Sequence, residues 1–358
     1  MEQDRLDFLR RLLETPGPSG YEQPPARVWR AEAEQFADDV WHDVAGNSFA
    51  RIRGTDPSAE APTVLIAGHI DEIGFVITHI DPEGFLWFAP IGGWDEAVVV
   101  GQRLRIAGSQ GDVIGVIGKK AAHLLRKEDR DKPTDLRDLW IDIGAASRAD
   151  ARGRVEVGDA AVIDAGFVGL TDDLCAARGI DNRVGAFVAL EVARLLAIGD
   201  PRPAVSVCAV ATAREEISFA GARTAAFTVS PLAAIAVDVT HATDYPGADK
   251  KANDEVRLGG GPVLTRGASL SPVVFAGLQA AGMRLGLTCP IQGVGKASFT
   301  DADAMTDAGR GTPCGLVSIP NRYMHSPNEV ISLSDLTAAS RLIAEYIRGL
   351  SVATDLRP

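Results

Sequence analysis

The sequence predicts an α/β fold: a mostly parallel central sheet flanked by helices, interrupted by a small β-rich insertion. Three observations predict it. From about residue 166 onward, short apolar, β-branched runs alternate with stretches of helical spacing, the pattern of a parallel sheet covered on both faces. Between about 72 and 165 helical periodicity is scarce and hairpin signatures replace it. Several of the strand candidates lead into His, Asp or Glu, at the strand ends where open α/β sheets gather their ligands.

The chain opens on a helix over 4–14, where Leu6, Leu9, Leu12 and Leu13 recur at helical spacing between charges, closed by the Pro-Gly-Pro-Ser-Gly loop at 16–20. Thr63 to Ala67 is an apolar, β-branched strand that runs into Gly68 and His69. Inside the insertion, Arg103–Ile106 and Val113–Ile117 flank a turn at Gly108–Gly111. Residues 182–198 are apolar at helical spacing and follow Asp181, a favourable N-cap type. Val205–Val210, Ala234–Val239 and Leu316–Ile319 are further buried strands. Ser332 and Asp335 have the spacing of a capping box, ahead of a C-terminal helix carrying Leu336, Ala339, Ile343, Tyr346 and Ile347.

Composition narrows the function classes. A chain of 358 residues that is 46% hydrophobic and 23% charged can bury a sizeable core. Lys plus Arg number 36 against 48 Asp plus Glu, a net charge of −12, which argues against a nucleic-acid or anionic-membrane surface. The N-terminal residues lack the uninterrupted apolar core of a signal peptide. No apolar run reaches the roughly 18 residues of a membrane span. Cys175, Cys208, Cys289 and Cys314 are far apart and form no CxxC pair, so reduced thiols in a cytoplasm are expected.

The chemistry sits where the strands end. Thr63–Ala67 leads to His69 and Asp71, and Val205–Val210 leads to Glu215 and Glu216. Asp238 lies at the end of Ala234–Val239, Leu316–Ile319 leads to His325, and Asp181 starts a helix. His69 and Asp71 are two apart and face the same way in an extended segment, so the Asp71 carboxylate could accept a hydrogen bond from the imidazole and orient it. Glu215 and Glu216 are adjacent and diverge; one can bind a metal while the other faces a bound water. Buried carboxylates so close together repel, and a dication removes the problem. The set suits a pair of divalent ions, and its N/O ligand mix favours zinc, cobalt or manganese over calcium or magnesium.

Each residue alone has an ordinary role: a hydrogen-bonded histidine, a solvated glutamate pair, a helix-capping Asp181. Asp238 in a nearly all-apolar strand is harder to dismiss, because an unpaired buried carboxylate is costly. The joint occurrence at strand ends is what points to a site. His42, His79 and His123 are expected to be structural or exposed. His241, three residues after Asp238, is a further candidate to line the site.

Eight segments extend this pattern. They are PGPSGYE at 16–22, AGHIDEIGF at 67–75, HLLRKEDRDKP at 123–133, DIGAASR at 142–148, DNRVGA at 181–186, EEISFAGA at 215–222, VDVTHATDYPG at 237–247 and RYMHSPNEVISLSDL at 322–336. Together and in order they resemble the dinuclear-metal aminopeptidases that include glutamyl aminopeptidase, the deblocking aminopeptidases and the tetrahedral aminopeptidases. The resemblance implies a metallopeptidase domain in two parts, 1–71 and 166–358, around an inserted β-barrel-like oligomerisation domain, 72–165. It implies that Asp181 bridges two metals, that His69 and Asp238 complete one, and that Glu216 and His325 complete the other. Glu215 is then the general base and Asp71 the supporting carboxylate behind His69.

The implied cofactor is two divalent ions per chain, zinc or cobalt first and manganese next. The implied activity is hydrolysis of the N-terminal residue from peptides with a free N-terminus, by a homo-oligomer that in some relatives is a hollow dodecamer. No nucleic-acid or membrane partner is expected. The sequence departs from the family pattern at Arg214, at Ser218 and Phe219, and at SFTDADA, 298–304, all of which bear on the substrate pocket. Competing expectations are a two-metal amidase acting on acylated amino acids and a non-catalytic assembly protein that keeps the fold. A glycosidase would need a carboxyl pair set around a sugar ring, with no use for His69 and His325.

Overall fold

The computed structural model describes residues 1–56, 62–124 and 133–358; most of the 123–133 segment lies outside the described residues. Strands β1 (Asp39–His42), β2 (Ser48–Ile52) and β3 (Thr63–His69) come first. The next six are β4 (Gly74–Ile80), β5 (Leu86–Ile91), β6 (Arg103–Gly108), β7 (Gly111–Gly118), β8 (Trp140–Asp142) and β9 (Ala160–Ile163). Then follow β10 (Val168–Gly169), β11 (Leu174–Ala177), β12 (Ser206–Thr212), β13 (Ala233–His241), β14 (Val263–Gly267), β15 (Ile291–Val294), β16 (Cys314–Asn321) and β17 (Glu329–Ser332). The helices are α1 (Gln3–Glu14), α2 (Gln23–Ala33), α3 (Arg148–Arg152), α4 (Ile180–Ala197), α5 (Glu215–Ser218), α6 (Ala220–Val229), α7 (Lys250–Asn253), α8 (Pro272–Leu285), α9 (Asp301–Thr306) and α10 (Leu333–Arg348).

One eight-stranded sheet runs β1-β2-β12-β3-β13-β16-β14-β15. Its centre, β12, β3, β13 and β16, is parallel, and antiparallel β2 and β14 flank it. The central strands are buried almost throughout, which is why they read as near-continuous apolar runs. Leu9, Trp29, Phe187, Leu278 and Leu342 bring α1, α2, α4, α8 and α10 onto one face. Ala225 and Met305 bring α6 and α9 onto the other. The predicted α/β fold, sheet between helix layers, is therefore the observed one. Strands β4-β5-β8-β7-β6-β9 close a barrel around Phe75, Leu104, Ile106 and Ile141, and closure leaves that sheet no open edge. The hairpin read at 103–117 is β6–β7, with Gly108 opposite Gly111.

Two local expectations are corrected. The Ser332–Asp335 capping box does not form. Ser332 donates to Asp173 Oδ2 at 2.5 Å, Asp173 Oδ1 accepts the Ser334 N–H at 2.9 Å, and Asp335 accepts the Gly259 and Gly261 N–H groups, each at 2.8 Å. A carboxylate from a distant loop thus takes the capping role. Asp181 is not the cap of α4 either: the backbone is non-helical at Asp181 and Asn182, and it is the Asn182 side chain that accepts the Gly185 N–H, at 3.0 Å, where the continuous helix begins.

A buried charge network fixes the start of α4 against the N-terminus. Arg183 is fully buried. It donates to the carbonyls of Leu12 at 3.0 Å, Gly17 at 3.3 Å and Ile70 at 3.2 Å, and to that of Thr15. Several of these are the orphan carbonyls at the end of α1. Glu72 accepts from Arg183 at 2.8 Å and from Arg178 at 2.6 Å. The Glu72→Gln variant keeps the shape and strands two buried guanidinium groups, so unfolding in urea should show a loss of about 3–5 kcal/mol. An unchanged midpoint would contradict this.

Candidate metal centre

The strand register brings the site together. Thr212 pairs with His69, and Ala236 pairs with Ala67, so Asp238, two residues on, leaves the sheet at the same rim as His69. Helix α4 can lie directly on this rim because of two glycines. A Cβ on Gly68 would come within 2.1 Å of the Gly185 backbone, and one on Gly185 within 2.4 Å of the Val237 carbonyl oxygen. Only glycine permits so close an approach. Asn182 anchors the same turn, donating to Val237 O at 2.8 Å and accepting the Gly185 N–H at 3.0 Å. Asp181 is thereby held over the strand ends.

Glu215 and Glu216 sit on the single turn α5, after Arg214 in left-handed conformation, φ +60°. Asp71 holds that turn. Its Oδ1 accepts the Glu215 N–H at 3.1 Å, and its Oδ2 accepts the Glu216 N–H at 3.2 Å and the Ser19 hydroxyl at 2.5 Å. The same carboxylate lies behind His69, with Oδ1 3.5 Å from Nδ1. The nearest acceptor to Nδ1 is the backbone carbonyl of Asp71, at 3.2 Å. His325, with φ +60°, completes the ring from the loop after β16.

The geometry centres on Asp181. Its Oδ1 is 3.2 Å from His69 Nε2 and its Oδ2 is 3.2 Å from His325 Nε2. Glu215 Oε2 lies 3.5 Å from His69 Nε2, and Glu216 Oε2 lies 3.5 Å from His325 Nε2. Ligand atoms of His69, Glu215 and Asp238 fall within 4.8 Å of one another, as do those of His69, Asp181 and Glu216. These spacings exceed the roughly 2.7–2.9 Å of a charge-assisted hydrogen bond. They match the roughly 3.3 Å between two donors that share one tetrahedral ion at about 2.0–2.1 Å. Glu216 Oε1 is buried without a hydrogen-bond partner. The donor set therefore fits divalent metal.

The electrostatics agree. Burial pushes Glu215, Glu216 and Asp238 well above the ordinary carboxylate range. Burial also acts to raise Asp181, but hydrogen bonds from His325 and His69 outweigh it and hold this carboxyl low. His69 is raised well above its usual value: Glu215, Asp181 and Asp71 overcome a desolvation that works the other way. So many acids in one dry pocket cannot all ionise unless cations share it.

All seven residues singled out in the sequence are thus neighbours. His241 lines the cavity beside them, while His42, His79 and His123 are exposed and outside it. The sequence did not point to Glu329. Its Oε2 accepts the Asp181 N–H and its Oε1 the His325 N–H, each at 3.0 Å. An acidic residue at the head of a short buried strand, four after His325, was the signal available. Also unread were Asp301, which accepts from Thr212 at 2.5 Å and which burial raises to about 6, and the glycines after β5. A Cβ on Gly92 would reach 3.4 Å from Glu216 Oε2 and one on Gly93 would reach 3.5 Å from His325 Nδ1, so the barrel touches the site through a pair of bare backbones.

Residues 46–342 match the family of M42 glutamyl aminopeptidase. The chain is 30% identical to the lysyl aminopeptidase of Pyrococcus furiosus over 351 residues, 96% of this chain and 97% of that protein. The crystal structure of a TET aminopeptidase from a marine-sediment Thaumarchaeota archaeon superposes with a TM-score of 0.92 at 31% identity, covering 98% of this chain and 97% of that one. The TET1 peptidase of Pyrococcus horikoshii, which can assemble into a tetrahedron or a large octahedral shell, gives 0.85 at 29% identity, covering 97% of this chain and 100% of that one.

Proposed function

The chain belongs to the M42 glutamyl aminopeptidase family and is a metal-dependent aminopeptidase, and from that premise we propose that its cluster holds two divalent ions and removes the N-terminal residue of peptides. The observation that carries the proposal is the division of Asp181, whose two oxygens each stand 3.2 Å from a different histidine. Asp181 would be shared by both ions, His69 and Asp238 would hold one, and Glu216 and His325 would hold the other. Glu215 is the base, and Asp71 positions both His69 and the glutamate turn. Zinc or cobalt suits this N/O set best, then manganese.

When bound, the ions polarise the scissile carbonyl and bring the pKa of water toward neutrality. Glu215, buried beside His69, takes the proton of the attacking water and returns it to the leaving amine. The free α-amine of the substrate would bind a metal ion or a nearby carboxylate, which confines cleavage to the free N-terminus. The barrel and its flanks, 72–165, serve as the assembly domain of a homo-oligomer, as large as a dodecamer. The four free cysteines favour a reducing compartment such as the cytoplasm.

The proposal is tested by offering aminoacyl anilides, acyl-amino acids and a soluble glucan to protein resupplied with zinc, cobalt or manganese. Only the aminoacyl anilides should be cleaved. Preference for acyl-amino acids would make the protein an amidase, and inertness toward all three would make it a scaffold. Glu329 offers a finer test. Removing its side chain in Glu329→Ala frees two backbone N–H groups behind the ligands, and metal affinity should fall about 10–100-fold. Glu329→Gln keeps one acceptor and should recover part of the loss in a chelator competition; equal affinity in all three proteins would deny Glu329 a positioning role.

A further inference from the structure

We propose that this aminopeptidase selects an uncharged N-terminal side chain, and that Gln292 stands in the wall that selects it; the inference rests on the aminopeptidase reading above. A cavity of about 430 Å³ opens onto the cluster. Phe219, Val239, Val294, Leu316 and Met324 supply its apolar wall. Apart from the cluster and His241, its polar groups are hydroxyls and an amide. Thr240 donates to Gln292 Oε1 at 2.9 Å, and Thr265, 2% exposed, carries a hydroxyl with no hydrogen-bond partner.

Among the described residues, every acid lining this cavity, Asp181, Glu215, Glu216 and Asp238, belongs to the cluster itself, and no lysine or arginine lines it. Near the rim, the Lys296 ammonium lies over the Phe299 ring, 5.1 Å from its centroid, outside the lining. Among the described residues, a charged side chain entering here would give up its hydration and meet no lysine, arginine or uncommitted carboxylate to pair with, which is costly. A carboxylate would also face the acids of the cluster. An ammonium would compete for carboxylates committed to the metals. An aliphatic or amide side chain meets apolar walls with a hydroxyl and an amide at hand. Phe219, Ser298, Phe299 and Thr300 all line the cavity, and they fall in the stretches where the sequence departs from its family pattern.

The test is a series of aminoacyl anilides with one leaving group, on cobalt-replenished protein, comparing Leu, Met and Gln with Lys, Arg, Glu and Asp. The neutral substrates should lead in kcat/KM by a factor of about 10 or more. Lys or Glu equal to Leu, or a flat profile, would overturn the inference and leave the aminopeptidase intact. Failure to cleave any of the series would overturn the function it rests on. The Gln292→Lys variant sets an ammonium in the wall and should raise the Glu-to-Leu ratio about tenfold; an unchanged ratio would mean that the N-terminal side chain does not lie against Gln292.

Discussion

Replacing Glu215 with glutamine should lower kcat by about 10²- to 10⁴-fold and leave the metal content of the protein unchanged. The amide is nearly isosteric, and the N–H of residue 215 keeps its bond to Asp71 Oδ1, so α5 should persist. What is lost is the ability to take a proton. The competing role is visible in the geometry: ligand atoms of Glu215, His69 and Asp238 lie within 4.8 Å of one another. If Glu215 were a ligand and not the base, ions would leave with the activity. Steady-state kinetics beside elemental analysis of the same sample separates the two roles.

The second large effect is expected at Asp181. Asn in its place keeps a single acceptor oxygen where two now face His69 and His325. Both ions should be lost together, and with them the several kcal/mol of transition-state stabilisation that metal charge supplies. Glu216→Gln and Asp238→Asn each touch one half of the set, so each should weaken one ion more than the other. Asn182 and Arg183 anchor the turn through groups other than the Asp181 side chain. The Asp181→Asn protein should therefore keep its circular dichroism. A variant that retained both ions and ordinary turnover would remove Asp181 from the centre.

The parts of the fold that could be read from the sequence are those with strong periodicity. β3, β12, β13 and β16 are buried on both faces and announce themselves as apolar runs. The edges do not. β1 is the four-residue Asp39–His42 and β15 is Ile291–Val294, both short and half exposed, and nothing local separates such segments from loops. The site was legible for an architectural reason: parallel strands deliver their C-terminal residues to one rim, so His69 and Asp238 could be placed together without coordinates. The supporting contacts were not. The Asp181 N–H and the Glu329 carboxylate are 148 residues apart, and the Asp173 carboxylate that displaces the expected capping box is 159 residues from Ser332. Such partners are chosen by the fold, and local spacing carries no trace of them.

The two-ion centre is tested most directly by stripping the protein with a chelator and adding zinc or cobalt back. Ions per chain are counted while hydrolysis of a leucyl anilide is followed. Activity should rise with occupancy and level off at about two ions per chain, and the Asp181→Asn protein should take up neither. Full activity in the stripped protein, or saturation at a single ion, would contradict the account.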